Sequence, residues 1–538
     1  MGTRFEDLEK SVAESRFTRR QVLQGALAVG AGAALAPALA ACGGGAGTSA
    51  AESAADASGG QPKQGGSLRV GIVGGSAKDS LNPLVASTEP QMCYALQLFD
   101  SLTRWDEEYQ LHNHLAEEIS ANADASVWTV HLKPDLTWHD GKPVTADDVV
   151  FTYQTITDPS NPMPGSAMLG GLRPKGVVRI DERTVEFRLD APNSILPEGF
   201  AYLDNMVVQA DYSPNAGVGC GPFKIVDFKP GEQAVFAPFE GYWGEGPFVD
   251  ELVVLNFADE TARVNAFSSD VIDAMSQLPP AQVATVESGE GHVILRAKTG
   301  SWRPFTMRID QKPFSDVRVR QALRLVVDRQ QLIDHAYSGH GWIGNDMYAP
   351  FDPGTPDLPQ REQDLEKAKF LLREAGYSDL AVELVTSEAV GSGAVEAAQV
   401  FAEQAKSCGV KVTVNKVDPS VFYGEDYLSW PFAQDFWYTR NFLAQAGACT
   451  LPTAPYNETH WTHEKWQALV EEAFRTVDET KRNELIAEAQ TIEHEEGGYI
   501  IWAFNDQVDA YNQKIGGVAA DKQGTPLAGF RFNKWYMK

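Results

Sequence analysis

The sequence contains little cysteine and little positive charge. Its 538 residues include five cysteines, and no two of them have the CxxC spacing of a redox centre or a zinc ribbon. The chain has 45 Lys and Arg against 73 Asp and Glu, which gives a formal net charge of −28. A surface this acidic repels nucleic acid and anionic lipid, so we exclude nucleic-acid binding and polybasic membrane binding. The 43% hydrophobic content is sufficient for two or three folded domains.

The sequence also lacks a strongly hydrophobic run at the length of a membrane span. The nearest candidate, residues 22–41, is mostly Ala and Gly and contains Pro37, so it is weakly hydrophobic for a permanent helix. It follows Arg19 and Arg20 and ends at Cys42, which three glycines follow. This combination predicts a twin-arginine export signal in which Cys42 is cleaved free and acylated. A transmembrane anchor is the alternative interpretation.

The predicted export signal places the rest of the chain outside the cytoplasm. Residues 43–65 are rich in Gly, Ala and Ser and are predicted to form a flexible tether. The folded part would be lipid-anchored at the outer face of the cytoplasmic membrane or in the periplasm, where no ATP or NAD is available, and we predict no cofactor. Four cysteines remain, so either a disulfide or plain buried thiols are possible there. Of the possible pairings we favour Cys220 with Cys449.

Sites for metals, phosphates and hydrolytic chemistry are not supported by the motifs. His112 and His114 are spaced for one face of a strand, and His460 and His463 form a second pair, but neither pair has a third ligand nearby in sequence, so we predict no metal. The glycine-rich residues 217–223 precede a strand pattern, whereas a phosphate-binding loop must open a helix. The sequence has no Gly-x-Ser-x-Gly or HExxH motif, so we predict that the protein is not an enzyme.

Several local patterns predict specific elements. Alternating apolar residues predict a strand at residues 67–72. Thr145 with Asp148 has the spacing of a capping box, and Ser315 is predicted to cap a helix whose apolar face begins at Val319. Helical stripes of this kind alternate with strand patterns, which indicates α/β structure in the C-terminal half. Residues 497–504 are predicted to form one apolar strand.

Five segments in fixed order carry a resemblance to a known family. The sequence resembles the extracytoplasmic solute-binding proteins of peptide and nickel ABC importers, bacterial solute-binding protein family 5, over residues 66–538. The segments are residues 102–106, 115–117, 128–134, 138–149 and 314–329.

The resemblance implies an α/β, two-lobed periplasmic-binding-protein-like fold with mixed sheets, an extra subdomain inserted in lobe one and a cleft between the lobes. It implies lobe I at residues 66–102, 206–300 and 504–538, the inserted subdomain at 103–205 and lobe II at 301–503, with the last crossing between the lobes at residues 497–504. The signal peptide and tether, residues 1–42 and 43–65, precede them.

By the same resemblance, the chain is expected to be a monomer that captures a peptide or peptide-like solute and delivers it to an ABC permease. An exported hydrolase acting on peptide-like substrates and a binding protein for a metal complex such as nickel are the alternatives. The residues do not identify the ligand, and they do not distinguish import from sensing.

The resemblance also directs attention to five residues around the expected cleft. Trp302, Trp437 and Tyr438 are candidate aromatic walls, although each would serve equally well in the core. Peptide binders of the family use Trp-x-x-Asp-Tyr to pair an acid with the peptide amine. Here Asp435 precedes the tryptophan, and Arg440 stands where an acid is expected. A guanidinium favours a carboxylate or phosphate, so we predict an acidic ligand group, with a surface salt bridge of Arg440 as the alternative.

Overall fold

The computed structural model describes residues 62–538. The predicted export signal with Arg19 and Arg20, the acylated Cys42 and most of the tether lie outside these residues. Within the described part of the chain, no helix combines the length and the apolar character that crossing a membrane requires.

The described residues form 21 strands that belong to five sheets. In chain order the strands are β1 Ser67–Val73, β2 Thr103–Trp105, β3 Leu111–Asn113, β4 Ala116–Ala121, β5 Val127–Leu132, β6 Leu172–Arg179, β7 Thr184–Leu189, β8 Phe223–Lys229, β9 Gln233–Pro238, β10 Glu251–Phe257, β11 Ala274–Met275, β12 His292–Trp302, β13 Phe305–Met307, β14 Gly341–Ile343, β15 Ala381–Thr386, β16 Lys411–Lys416, β17 Phe432–Gln434, β18 Tyr499–Ile500, β19 Ala503–Asn512, β20 Ile515–Gly516 and β21 Tyr536–Met537.

The α-helices of residues 62–538 range from single turns to five turns. They are α1 Glu89–Leu98, α2 Ala146–Ile156, α3 Leu196–Phe200, α4 Glu260–Ser268, α5 Val283–Glu287, α6 Val317–Leu325, α7 Arg329–Ala336, α8 Leu365–Glu374, α9 Ala394–Lys406, α10 Pro419–Phe422, α11 Phe442–Cys449, α12 Glu464–Arg475, α13 Glu479–Glu496 and α14 Pro526–Gly529.

The first lobe is built on an eight-stranded mixed sheet in the order β12-β19-β11-β1-β10-β9-β8, with β14 also paired to β19. The predicted first strand is confirmed as β1, which runs parallel to β10 with Leu68 opposite Leu252. Leu68, Val70 and Ile72 are completely buried in its core. Residues near the C-terminus, including Trp535, pack in the same core as β1.

A four-stranded sheet, β4-β5-β7-β6, belongs to the same lobe and lies between β1 and β8 in the chain. Helix α2 packs on it and starts with the predicted capping box, in which the Thr145 backbone N–H donates to Asp148 at 2.8 Å. This reciprocal bond satisfies backbone groups that the first turn leaves without partners.

The second lobe is built on a five-stranded sheet, β16-β15-β17-β13-β18, covered by helices that include α6, α8 and α9. The predicted helix after residue 314 is present, but Asp316, not Ser315, caps it, because the Asp316 side chain accepts from the Arg318 N–H at 2.9 Å. The carboxylate also pairs with the Arg318 guanidinium.

The chain crosses between the lobes at two adjacent places. Strand β12 ends in the first sheet at Trp302, and β13 begins in the second sheet at Phe305. The single strand predicted at residues 497–504 is wrong: β18 ends at Ile500 in the second sheet, and β19 begins at Ala503 in the first. An apolar run cannot show from its composition that it changes sheets, because both halves are buried. The two-lobed mixed α/β fold class is confirmed.

The favoured disulfide between Cys220 and Cys449 is also wrong. Cys93, Cys220, Cys408 and Cys449 are all free and buried. Cys220 packs in the core of the first lobe, whereas Cys449 ends α11 in a separate core of the second lobe. Burial raises the pKa of both thiols, so they behave as small apolar side chains.

Candidate functional site

A small cavity of about 70 Å³ opens in the first lobe beside the second. Its lining combines apolar and polar side chains. The lining residues are Met92, Leu96, Phe99, Asp100, Ser101, Arg104, Trp105, Ala201, Leu203, Met206, Gln523, Thr525, Gly529 and Arg531.

The charged side chains in this lining are engaged with one another or with the wall behind them. Arg531 pairs with the buried carboxylate of Asp521 and donates to the Trp105 carbonyl at 2.9 Å. Asp100 accepts from His114 at 2.8 Å and lies 3.6 Å from Arg104. The cavity therefore holds charges of both signs that already have partners.

A short segment of the second lobe, Thr439 with its neighbours, reaches the rim of the cavity. The Tyr109 hydroxyl donates to the Thr439 carbonyl at 3.4 Å, and Tyr109 stacks at 4.2 Å on Trp105, which lines the cavity. The Thr439 hydroxyl donates to the Lys522 carbonyl at 3.2 Å, next to Gln523 of the lining. Contacts on two sides place this segment, residues 438–441, against the cavity mouth. We call it the rim segment.

Arg440 is the charged residue of the rim segment. Its guanidinium carbon lies 5.6 Å from the centre of the Trp437 ring, a cation–π contact. Arg440 also interacts with the hydroxyl of Tyr202, opposing the rise that burial causes in the pKa of that phenol. Tyr202 lies between Ala201 and Leu203, which both line the cavity. Among residues 62–538, no carboxylate lies within salt-bridge distance of Arg440, so the surface salt bridge considered from the sequence is not formed there.

Trp302 and Trp437 meet at the crossing between the lobes. Their backbones form an isolated β-bridge with N–H to carbonyl distances of 3.0 and 2.9 Å, and their ring centres are 6.3 Å apart. Trp302 also contacts Tyr348 and Tyr499 and is 1% exposed. Both tryptophans are buried in the core behind the rim segment, so a role as a cavity wall stays a prediction.

Asp435 and Tyr438 occupy opposite environments. The Asp435 carboxylate is fully buried and accepts from the hydroxyls of Tyr423 and Tyr427, at 3.2 and 2.6 Å, and from the Phe436 N–H. The Tyr438 side chain is 63% exposed. The structure therefore brings Trp302, Trp437 and Arg440 together, holds Asp435 in a tyrosine cage and leaves Tyr438 at the surface.

A half-buried carboxyl group also bridges the two lobes. Glu198 of α3 accepts from the Asn441 side chain at 3.1 Å, and Asn441 caps α11 of the second lobe. The carboxylate of Asp352 accepts from the Phe442 N–H at 2.7 Å at the same helix end. Burial, together with the charge of Asp352, raises the pKa of Glu198 to about 8, while Asn441 and Arg482 act in the opposite direction.

The histidine pairs noted in the sequence have other partners. His112 bonds to Asp106 at 2.8 Å, and His460 bonds to the Leu428 carbonyl at 3.0 Å. Among the described residues, no group of three or more His, Cys, Asp or Glu side chains is arranged to hold a metal ion.

Comparison with known proteins identifies the family. Residues 110–451 match the family model described as bacterial extracellular solute-binding proteins, family 5 Middle. The chain belongs to this family of solute-binding proteins. Its members bind solutes outside the cytoplasm, as the family's name states. Membership agrees with the two-lobed fold.

Individual relatives share low sequence identity with this solute-binding protein, but the matches extend over most of its length. The dipeptide-binding protein of Escherichia coli K12 is 25% identical over 452 residues, which cover 76% of this chain and 84% of that protein. The oligopeptide-binding protein AppA of Bacillus subtilis is 28% identical over 64% of this chain and 65% of its own. The solved structure of CtaP from Listeria monocytogenes, an ABC transporter substrate-binding protein, has a TM-score of 0.77 at 24% identity and covers 88% of this chain and all of that chain.

Sequence reasoning missed the contribution of the first lobe to the site. The five predicted residues all lie between 302 and 440, whereas the cavity is lined by residues of three separate stretches of the first lobe. Trp105 and Arg104 fall in a segment that carries the family resemblance, but no motif distinguishes a lining side chain from a core side chain there. Only the convergence of residues 92–105, 201–206 and 523–531 reveals the cavity.

Proposed function

We propose that this solute-binding protein captures a peptide or peptide-like solute between its lobes and delivers it to an ABC permease. The observation that carries the proposal is the cavity of the first lobe with the rim segment of the second lobe against its mouth. Relatives whose names state dipeptide and oligopeptide binding support the ligand class. Separation of the rim segment from Tyr109 and Lys522 would open the cavity to an incoming ligand.

Binding without turnover fits the cavity better than the alternative of a hydrolase. Asp100, Arg104 and Arg531 are held by partners within the protein, so none is poised as a free acid, base or nucleophile. The family consists of solute-binding proteins, which supports the same conclusion. No observation favours a nickel complex over a peptide.

We assign Arg440 to an acidic group of the ligand. It is half-buried at the cavity mouth, it has no carboxylate partner among the described residues, and Trp437 supports it from behind. Bidentate pairing of a guanidinium with a carboxylate is strong and directional. Trp302, Asp435, Trp437 and Tyr438 complete the proposed ligand site, the first three as the framework that positions Arg440.

We also propose the domain division that the resemblance implies. In it the chain passes from the first lobe to the second near residue 300 and returns to the first lobe near residue 503. The changes of sheet between Trp302 and Phe305 and between Ile500 and Ala503 support these two boundaries. The inserted subdomain, 103–205, is supported by the separate four-stranded sheet. We further propose that the protein acts as a monomer.

Delivery to a permease would be helped by an anchor. We propose that Arg19 and Arg20 direct export by the twin-arginine route and that Cys42 is acylated, which holds the protein at the outer face of the cytoplasmic membrane. Cys42→Ala should release the protein from the membrane fraction with ligand binding intact. Loss of binding in the released protein would contradict the separation of anchor and receptor.

Mass spectrometry of small molecules released by denaturing the purified protein tests the proposed function. We expect a peptide or peptide-like acid, and its addition should raise the melting temperature saturably without being consumed. Product formation from the added compound would instead establish a hydrolase. A bound metal complex with no peptide would overturn the peptide assignment.

A further inference from the structure

The chemistry of the cavity indicates which part of the ligand it can hold. Arg531 forms an ion pair with Asp521 and donates to the Trp105 carbonyl. Asp100 interacts with His114 and Arg104. The second carboxylate oxygen of Asp100 is buried and has no hydrogen-bond partner within residues 62–538, so the charge of Asp100 is shared with His114 and Arg104. A charged ligand group placed there would lose its hydration without gaining a free counter-charge, which is costly.

The remaining surface of the cavity is suited to an apolar group. Met92 and Leu96 are one helical turn apart on α1, so they share a face, and both are partly exposed toward the cavity. Leu203 and Met206 line it from the segment after α3. Because methionine side chains are flexible and polarisable, two of them allow the wall to adapt to groups of different shape.

Neutral hydrogen-bonding groups complete the lining. Gln523 and Thr525 both line the cavity, and Gln523 follows Lys522, whose carbonyl accepts from the rim segment. An amide and a hydroxyl at this position can bond to the backbone of a peptide-like ligand without requiring a charge.

We infer that the first-lobe cavity is a subsite for an uncharged, apolar side chain of a ligand whose acidic group lies at Arg440. This inference rests on the proposed function and specifies its ligand: a short peptide or peptide-like acid with one aliphatic or aromatic side chain. The two parts of the ligand are recognised by different lobes, the apolar part by the first and the acidic part by the second. A ligand lacking either part engages one lobe and leaves the other without its contact.

Affinity selection from a mixture of all dipeptides of the common amino acids tests the inference on the full chain. We expect retention of dipeptides that combine one apolar residue with Asp or Glu. Retention of dipeptides with only polar or basic residues would overturn the inference and leave the proposed function standing. Retention of no dipeptide, together with no peptide among the molecules that purify with the protein, would overturn both.

Two variants locate the subsite. Met92→Gln and Leu96→Asn keep the side-chain length and place an amide in the apolar wall. Each should weaken binding of the dipeptide Leu-Glu about tenfold, while binding of Gly-Glu changes little, because Gly-Glu has no side chain to lose. Phe370→Gln is the matched control, because Phe370 is 52% exposed on α8 of the second lobe. An equal loss for Leu-Glu and Gly-Glu would show that the wall is structural and would contradict the inference.

Discussion

The two sides of the cleft differ in how their charges are held. On the first lobe, Arg531 and Asp521 form a buried pair within the wall. On the second lobe, Arg440 stands at the cavity mouth with an aromatic ring and a phenol beside it and no carboxylate partner in the described chain. The first lobe is therefore a preformed compartment, whereas the second lobe carries a charge that a ligand can neutralise.

This difference predicts that the two lobes have different roles in ligand binding. A compartment whose charges are satisfied internally keeps its shape whether the lobes are apart or together. A half-buried guanidinium without an acidic partner gains most when an anion arrives, so it favours closure over an acidic ligand. The predictions below test this comparison, from the largest expected effect to the smallest.

Removing the aromatic support of the rim segment should have the largest effect. Trp302→Ala deletes a side chain that is 1% exposed and contacts Tyr348, Trp437 and Tyr499. The free energy of unfolding should fall by about 3–5 kcal/mol, as for other buried tryptophans, measured by urea denaturation. Trp302→Phe should recover much of the loss. An alanine variant as stable as the unchanged protein would show that the stack is not a support.

Arg440→Ala should weaken binding of the co-purifying acidic ligand about 10- to 100-fold in calorimetric titration, because a charge-assisted bond is lost. The affinity of Arg440→Lys should lie between those of Arg440→Ala and the unchanged protein, since an ammonium keeps the charge but not the bidentate geometry. Arg296→Ala is the control, because Arg296 pairs with Glu287 at 3.2 Å on the first lobe. Unchanged affinity in Arg440→Ala would remove the contrast between the two sides.

Glu198 should make closure depend on pH. In the structure its pKa is raised to about 8, against an ordinary value of 4.5 when the lobes separate and water reaches it. The closed form therefore takes up a proton. The stabilisation of the closed form is fully present below about pH 4.5 and is lost as the pH rises through about 8. Ligand affinity attributable to this group should decline across that range and level off above it.

Glu198→Gln tests the pH effect, because a neutral amide keeps the contact with Asn441 and cannot titrate. The decline in affinity between about pH 5 and pH 8 should flatten in this variant, and Asp352, whose pKa burial also raises, would account for any remaining slope. Glu182→Gln, at an exposed position, should retain the full decline. An unchanged pH profile in Glu198→Gln would show that this carboxyl does not couple to closure.

The smallest effect is expected from reduction. Because Cys220 and Cys449 belong to separate cores, a reducing agent should leave the melting temperature unchanged. Alkylation in denaturant, followed by peptide mass spectrometry, should modify Cys93, Cys220, Cys408 and Cys449 equally with and without reductant. Modification of any of them only after reduction would establish a disulfide.

Local features were predictable from the sequence because neighbouring residues decide them. The capping box of Thr145 and Asp148 and the alternation in β1 both depend on contacts within a few residues. The helix cap at Asp316, one residue from the predicted Ser315, differs because the carboxylate also pairs with Arg318. The break between β18 and β19 after Ile500 was not predicted, because two buried strands have the same apolar composition as one continuous strand.

The sequence by itself determined the family, the mixed α/β class and the candidate Arg440, since these depend on residue order and residue chemistry. Only the tertiary structure decided where the cavity lies, which charges in it are already paired and which cysteines stay apart. Those properties depend on segments such as residues 92–105 and 523–531, which are distant in the chain and meet only when the sheet brings both ends of the molecule together. The sequence could therefore indicate one side of the site, and the fold supplied the other.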